Sequence, residues 1–184
     1  REILLCREYW LIGVPVGVLF SVISAVLANF SPYVASAGLT RSDAGTLLMA
    51  VPVAGIVGKL AFGYAADKMS KKLLLLVAVA CLLALMPPYA LIMLPVFCLG
   101  LASGATVPVW GALLPQVFGL ASYGRVMGAM MPLTTVLVTA GFAVSGLTFD
   151  ATGSYVALLA LFAVMLVLAG LLLALLRLPV ARTA

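Results

Sequence analysis

Lys59 stands in the otherwise apolar run VPVAGIVGKLAFGYAAD, eight residues before Asp67 and about 12 Å from it along a helix. An ammonium held in hydrocarbon costs about 3 kcal/mol on insertion scales, so it needs water, a partner or a bound anion. On a helical wheel it shares a face with Gly45, Pro52, Gly55 and Gly63, a face that packs or lines a cavity and does not meet lipid. Two uses are open. Lys59 either holds a substrate anion, or snorkels toward the polar boundary and pairs with a carbonyl or carboxylate. Other chemistry is scarce. The chain has no histidine, which removes histidine-ligated haem, the usual zinc sites and Ser-His catalysis. Ser103 in GLASGA faintly suggests a nucleophile, but its base would have to be Lys59 and no spacing joins the two. Cys6, Cys81 and Cys98 lack metal-site spacing, and no cofactor motif is visible, so neither an enzyme nor a bound metal is expected.

The elements that position these residues follow from composition. Of the 184 residues 66% are hydrophobic and 8% charged, which excludes a water-soluble domain. The apolar runs lack the alternation of barrel strands and read as membrane helices of roughly twenty residues. Six spans are expected, near 9–31, 43–66, 72–88, 90–117, 124–148 and 155–177, with a lead-in over 1–8 and a tail over 178–184. The connections SPYVASAGLTRSD and FDATGS lie on one side with a PPY turn. DKMSKK and FGLASYGR lie on the other with both termini. Eight basic residues (Arg1, Arg7, Lys68, Lys71, Lys72, Arg125, Arg177 and Arg182) fall on the side of the termini, and Arg41 alone lies opposite. The positive-inside rule therefore places both termini in the cytoplasm, and the basic balance reports topology, not nucleic-acid binding. Since the chain begins at Arg1 and its first methionine is Met49, it reads as part of a longer protein.

Spans 3 and 6 carry almost nothing polar and suit lipid-facing positions; spans 1, 2, 4 and 5 hold the small and polar residues and suit central ones. GKLAFGYAAD at 58–67 and GFAVSGLTFD at 141–150 share Gly, Gly and Asp at equal spacing. The same offset relates Gly17 to Gly100, Pro32 to Pro115 and Gly45 to Gly128. Because one aspartate ends span 2 and the other ends span 5 on the opposite side, the pattern is that of a three-plus-three inverted repeat. In span 4, Pro108, Gly111 and Pro115 are hinge candidates, since prolines free carbonyls and permit kinks. Trp110 and Thr106 then lie near a cavity, or else Trp110 is simply packed. Asn29, Thr134 and Thr135 offer hydrogen bonds either to a substrate or between helices. Tyr9 and Trp10 read as interfacial anchors.

Gly63, Asp67, Lys68, Lys71 and Lys72 resemble the Gly-x-x-x-Asp-Arg/Lys-x-Gly-Arg/Lys-Arg/Lys loop of the major facilitator superfamily. The chain departs at Ser70, where the family usually has glycine, and uses lysine throughout, without arginine's bidentate geometry. Six spans with this loop after the second resemble one half of a twelve-helix facilitator, and REILLCREYWLIG is similar to the lead-in of its C-terminal half. LPQVFGLASYGRVMGAMMP and GLTFDATGSY are similar to the branch of monocarboxylate transporters and oxalate–formate antiporters. The resemblance implies secondary active transport of a small organic anion by rocker-switch alternating access, in a cell membrane such as the bacterial inner membrane. It implies an N-terminal six-helix half as partner, and a proton or counter-anion for coupling; with no acid inside a span, proton coupling would need that other half. In resembling transporters the loop aspartate faces a helix N-terminus in the opposite half. Asp67 would then latch outward from this half, while Ser122 to Val126, with Arg125, would receive the partner's aspartate. Lys59 followed by Gly63 matches the branch's basic residue for a substrate carboxylate, although span 5 lacks the second basic residue of oxalate–formate antiporters. The alternative is a self-assembling six-helix unit, transporter-like or channel-like, acting as a dimer.

Overall fold

Apolar runs with no polar period must satisfy their backbone hydrogen bonds internally when water is absent, and helices do so. The computed structural model describes residues 2–36, 40–83 and 93–176, and among these every regular element is helical. A short α1 (Glu2–Leu5) precedes α2 (Arg7–Ala28) and α3 (Phe30–Ser36). Then come α4 (Arg41–Lys68), α5 (Lys71–Leu83) and α6 (Met93–Phe118). A 3₁₀ turn at Leu120–Ser122 leads into α7 (Tyr123–Thr152), and α8 (Tyr155–Ala174) closes the order. Five of these (α2, α4, α6, α7 and α8) are long and apolar enough to cross a membrane. The third expected span has 13 described residues in α5; its remainder, the PPY turn, the start of the fourth span and Arg177 lie outside the described residues.

Three boundaries differ from the sequence expectation. The first span ends at Ala28, and the stretch SPYVAS, expected to be a connection, belongs to α3. Asn29 makes the break by folding its amide back onto the Ala25 carbonyl at 2.9 Å. Pro32 sits in the first turn of α3, where a missing N–H costs little. At the start of α4 a capping box closes the helix: the Asp43 N–H donates to Thr40 Oγ1 at 3.2 Å, and the Thr40 N–H donates to Asp43 Oδ2 at 2.9 Å. The second span therefore begins at Arg41. Finally, α7 runs on through Phe149–Thr152, so the expected FDATGS connection shrinks to Gly153 and Ser154. Gly153, at φ 61°, supplies the left-handed cap that other residues resist.

The helices pair as α4 with α6 and α2 with α7; α5 lies against α6 and α8, α8 against α2, and α2 meets α6. Tyr9, Gly13, Gly17 and Ser21 of α2 meet Ala129, Leu133, Leu137 and Gly141 of α7, so these helices run parallel in constant register. Where α4 meets α6, a methyl group on Gly58 would lie 2.6 Å from the Leu101 carbonyl oxygen, and one on Gly100 would lie 2.5 Å from Ala54 Cβ. Only small residues permit that approach. Burial within this chain divides the four spans expected to be central. The apolar stretches of α2 and α6 are 61% and 56% buried, but those of α4 and α7 only 28% and 22%, no more than α8 at 28%. Each of α4 and α7 packs on one side and leaves the other uncovered.

Candidate functional site

Lys59 lies on the uncovered side of α4 and is exposed. Among the described residues it makes no hydrogen bond and no ion pair. The face assigned to it on the helical wheel divides. Gly45 and Gly63 open into free space and Pro52 is exposed, whereas Gly55 turns toward α6, against Gly100 and Ser103. Large apolar side chains flank the ammonium on the open face, with Val53, Ile56, Leu60 and Tyr64 all more than half exposed. A solitary cation in an apolar wall with no nearby acid can hold one anionic group and present hydrocarbon to the rest of a molecule.

The other polar candidates, Trp110 apart, spend their donors inside the bundle. The Thr106 hydroxyl is fully buried and donates to the Ala102 carbonyl at 2.7 Å. Thr134 and Thr135 both donate to the Met131 carbonyl, at 2.8 and 2.9 Å. Asn29 donates to Ser145 Oγ at 2.8 Å and ties the end of α2 to α7. Trp110 is buried, edge-on to Phe20 with ring centroids 5.8 Å apart, so of the sequence alternatives it adopts the packed one. Its indole N–H and the Ser21 hydroxyl are buried without hydrogen-bond partners among the described residues. None of these side chains bonds to Lys59. The helix α6 runs unbroken through Pro108, Gly111 and Pro115, and a methyl group on Gly111 would meet only the Tyr123 hydroxyl at 3.8 Å. Tyr9 is no interfacial anchor: it is 2% exposed, and its hydroxyl donates to the Ala129 carbonyl of α7 at 2.8 Å. Trp10 is half exposed, with its N–H on the Leu4 carbonyl.

The charged loop after α4 separates into distinct jobs. Asp67 is exposed and without a hydrogen bond or ion pair among the described residues. Lys68 folds back one turn, donating to the Tyr64 hydroxyl with its ammonium 4.4 Å from that ring's centroid. Lys71 is half-buried. Lys72 reaches the end of α8, donating to the Ala174 and Leu176 carbonyls at 2.6 and 2.7 Å. A cation there satisfies orphan carbonyls and meets the negative end of the helix dipole. The start of α7 is the reverse case: no side chain caps it, and Leu120, Gly124 and Arg125 are exposed beside it. Sequence reasoning missed Tyr64 and Ser145 as partners. Tyr64 was legible, four residues before Lys68 on one helix face; Ser145 comes from a helix 116 residues away.

Positions 83 apart share environments. Gly17 packs on Leu137 of α7 and Gly100 on Ala54 of α4, and Ala54 and Leu137 are themselves 83 apart. Gly58 and Gly141 are both packed, against α6 and α2 respectively. Gly45 and Gly128 both face free space, as do Gly63 and Gly146.

A helical chain with five described apolar helices of crossing length is a multi-pass membrane protein. The family profile of the Major Facilitator Superfamily matches residues 10–184, and the chain belongs to that superfamily, a family of transporters and not of enzymes. Over 133 residues it is 29% identical to the multidrug efflux pump Tap of Mycolicibacterium fortuitum, a match covering 69% of this chain and 32% of the pump. The chain thus spans about a third of that relative's length.

Proposed function

We propose that the chain is the C-terminal six-helix half of a secondary transporter, that it moves a small monocarboxylate-like organic anion, and that Lys59 binds the anionic group. The carrying observation is Lys59 itself: exposed on the open face of α4 and, among the described residues, with none of its donors spent. The paired environments at an offset of 83 residues support a three-plus-three inverted repeat, in which substrate binds near the midplane and the halves rock. The uncovered sides of α4 and α7 and the greater length of the relative support a second half as partner, in preference to a dimer of six-helix units. The exposed Asp67 and the uncapped start of α7 support reciprocal latches to that half, with Gly63 giving the loop room. Lys68 and Arg125 flank these latches, and Pro108, Gly111 and Pro115 give α6 its capacity to bend.

The test is uptake of labelled carboxylates by the complete protein in proteoliposomes. Lys59→Ala lowers uptake about tenfold, the size expected for one charge-assisted hydrogen bond, and Lys59→Arg restores part of it. Unchanged uptake of every carboxylate tested removes the substrate role. The relative's name favours a second reading, export of apolar drugs along the exposed face of α4. Drug accumulation that rises in cells lacking the protein, with carboxylate uptake absent, selects that reading.

A further inference from the structure

Cys81 and Cys98 stand seventeen residues apart, a spacing with no metal signature, yet folding sets them on adjoining helices. Cys81 lies two residues before Leu83, the last described residue of α5, and Cys98 five after Met93, the first of α6. Both therefore sit near the ends where the chain passes from one helix to the next, and the two helices pack against each other. Contacts made elsewhere settle which faces meet. On α5, Leu76 and Val79 turn to Gly170 of α8, which leaves the buried Leu74 and Ala78, and Cys81 in line with them, for α6. On α6, Gly100, Leu101 and Gly104 turn to α4 and Trp110 turns to Phe20 of α2. That leaves Cys98, in line with the fully buried Ala102 and Ala105, for α5. Alanine on both sides permits a close approach. The two thiols are free, half-buried and within electrostatic reach of each other.

The chemistry of such a pair narrows its ligand. Thiolates are soft ligands, and among the described residues no third cysteine, histidine, aspartate or glutamate joins them. Two sulfurs do not satisfy zinc, which takes four ligands, but they complete a cation that coordinates linearly. Charge then selects a divalent ion. A mercuric ion forms one bond to each sulfur, releases the two thiol protons to water and leaves a neutral bis-thiolate. A monovalent cation would leave a net negative charge in hydrocarbon, which is costly. We propose that Cys81 and Cys98 form a two-thiolate site for a soft, linearly coordinating divalent cation, which fastens α5 to α6. The site uses neither Lys59 nor the transport reading.

The experiment uses mercuric chloride and the complete protein in detergent, with every cysteine except Cys81 and Cys98 replaced by serine. Native mass spectrometry reads the ion bound, and a thiol assay reads what remains reactive. The protein takes up one mercury and loses both thiols. Stripping that ion takes about a hundredfold more glutathione than stripping it from Cys81→Ser or Cys98→Ser, the gain expected when the second sulfur binds intramolecularly. Helical circular dichroism shows that both variants fold. Two mercury ions on the pair, none, or release at the same glutathione concentration as from the single-cysteine variants overturns the site.

Discussion

Lys72 and Lys59 show how two lysines thirteen residues apart come to opposite fates. Lys72 is consumed by α8: it satisfies two terminal carbonyls and fastens the start of α5 to a helix end 102 residues away. Replacing it with Met should lower thermal stability by about 1 kcal/mol, and Lys72→Arg should keep most of that contribution, both read from thermal melts in detergent. Lys59, by contrast, finds no protein partner among the described residues, so water, a bound anion or a group beyond those residues must offset its cost in the membrane. The lysines of the charged loop looked alike in sequence, as members of one motif. Their separation was not legible because the groups that distinguish them, the Tyr64 ring and the α8 carbonyls, belong to neighbours that only folding supplies.

At the scale of the element, glycine position decides which helix faces meet. The small residues of α6, Gly100 and Gly104, let α4 approach until its backbone touches α6, and Gly104 faces the Gly55 carbonyl directly. A methyl group on Gly104 forces the pair apart; Gly104→Ala should destabilise the protein by roughly 1–3 kcal/mol, the usual cost of overpacking. Gly128→Ala on the open side of α7 meets nothing within 4 Å and should be neutral or stabilising by up to about 1 kcal/mol through helix propensity. Denaturation of the two variants side by side checks the contrast. Equal destabilisation would mean that Gly128 is packed in the assembled protein, against the partner half. The repeat of glycines was legible in sequence, since spacing alone carries it. The packed or open character of each glycine was not, because both read as small residues in an apolar run.

Across the whole molecule, the uncovered sides of α4 and α7 and the two unanswered polar features, Asp67 and the start of α7, all belong to surfaces with no partner among the described residues. If Asp67 latches to a helix N-terminus of a second half, Asp67→Asn removes an interaction of about 0.3–2 kcal/mol and raises the inward-open population by roughly two- to thirtyfold. Accessibility of cysteines introduced along the face that carries this loop measures that shift, and an unchanged labelling rate rules the latch out.

Composition and the length of the apolar runs determined by themselves that the protein is helical and spans the membrane, because an unpaired backbone is too costly in hydrocarbon for other solutions. The loop motif, read one residue after another, was enough to place the family. Tertiary structure alone decided which helices are enclosed, since hydropathy ranks α4 and α7 with α6 and cannot register the one-sided cover that separates them. It alone decided the fate of each polar side chain, burying Tyr9, Thr106 and Trp110 and leaving Lys59 open. A hydrogen bond inside a membrane helix bundle depends on the carbonyl that the adjacent helix or preceding turn brings within 3 Å, and that distance is a property of packing.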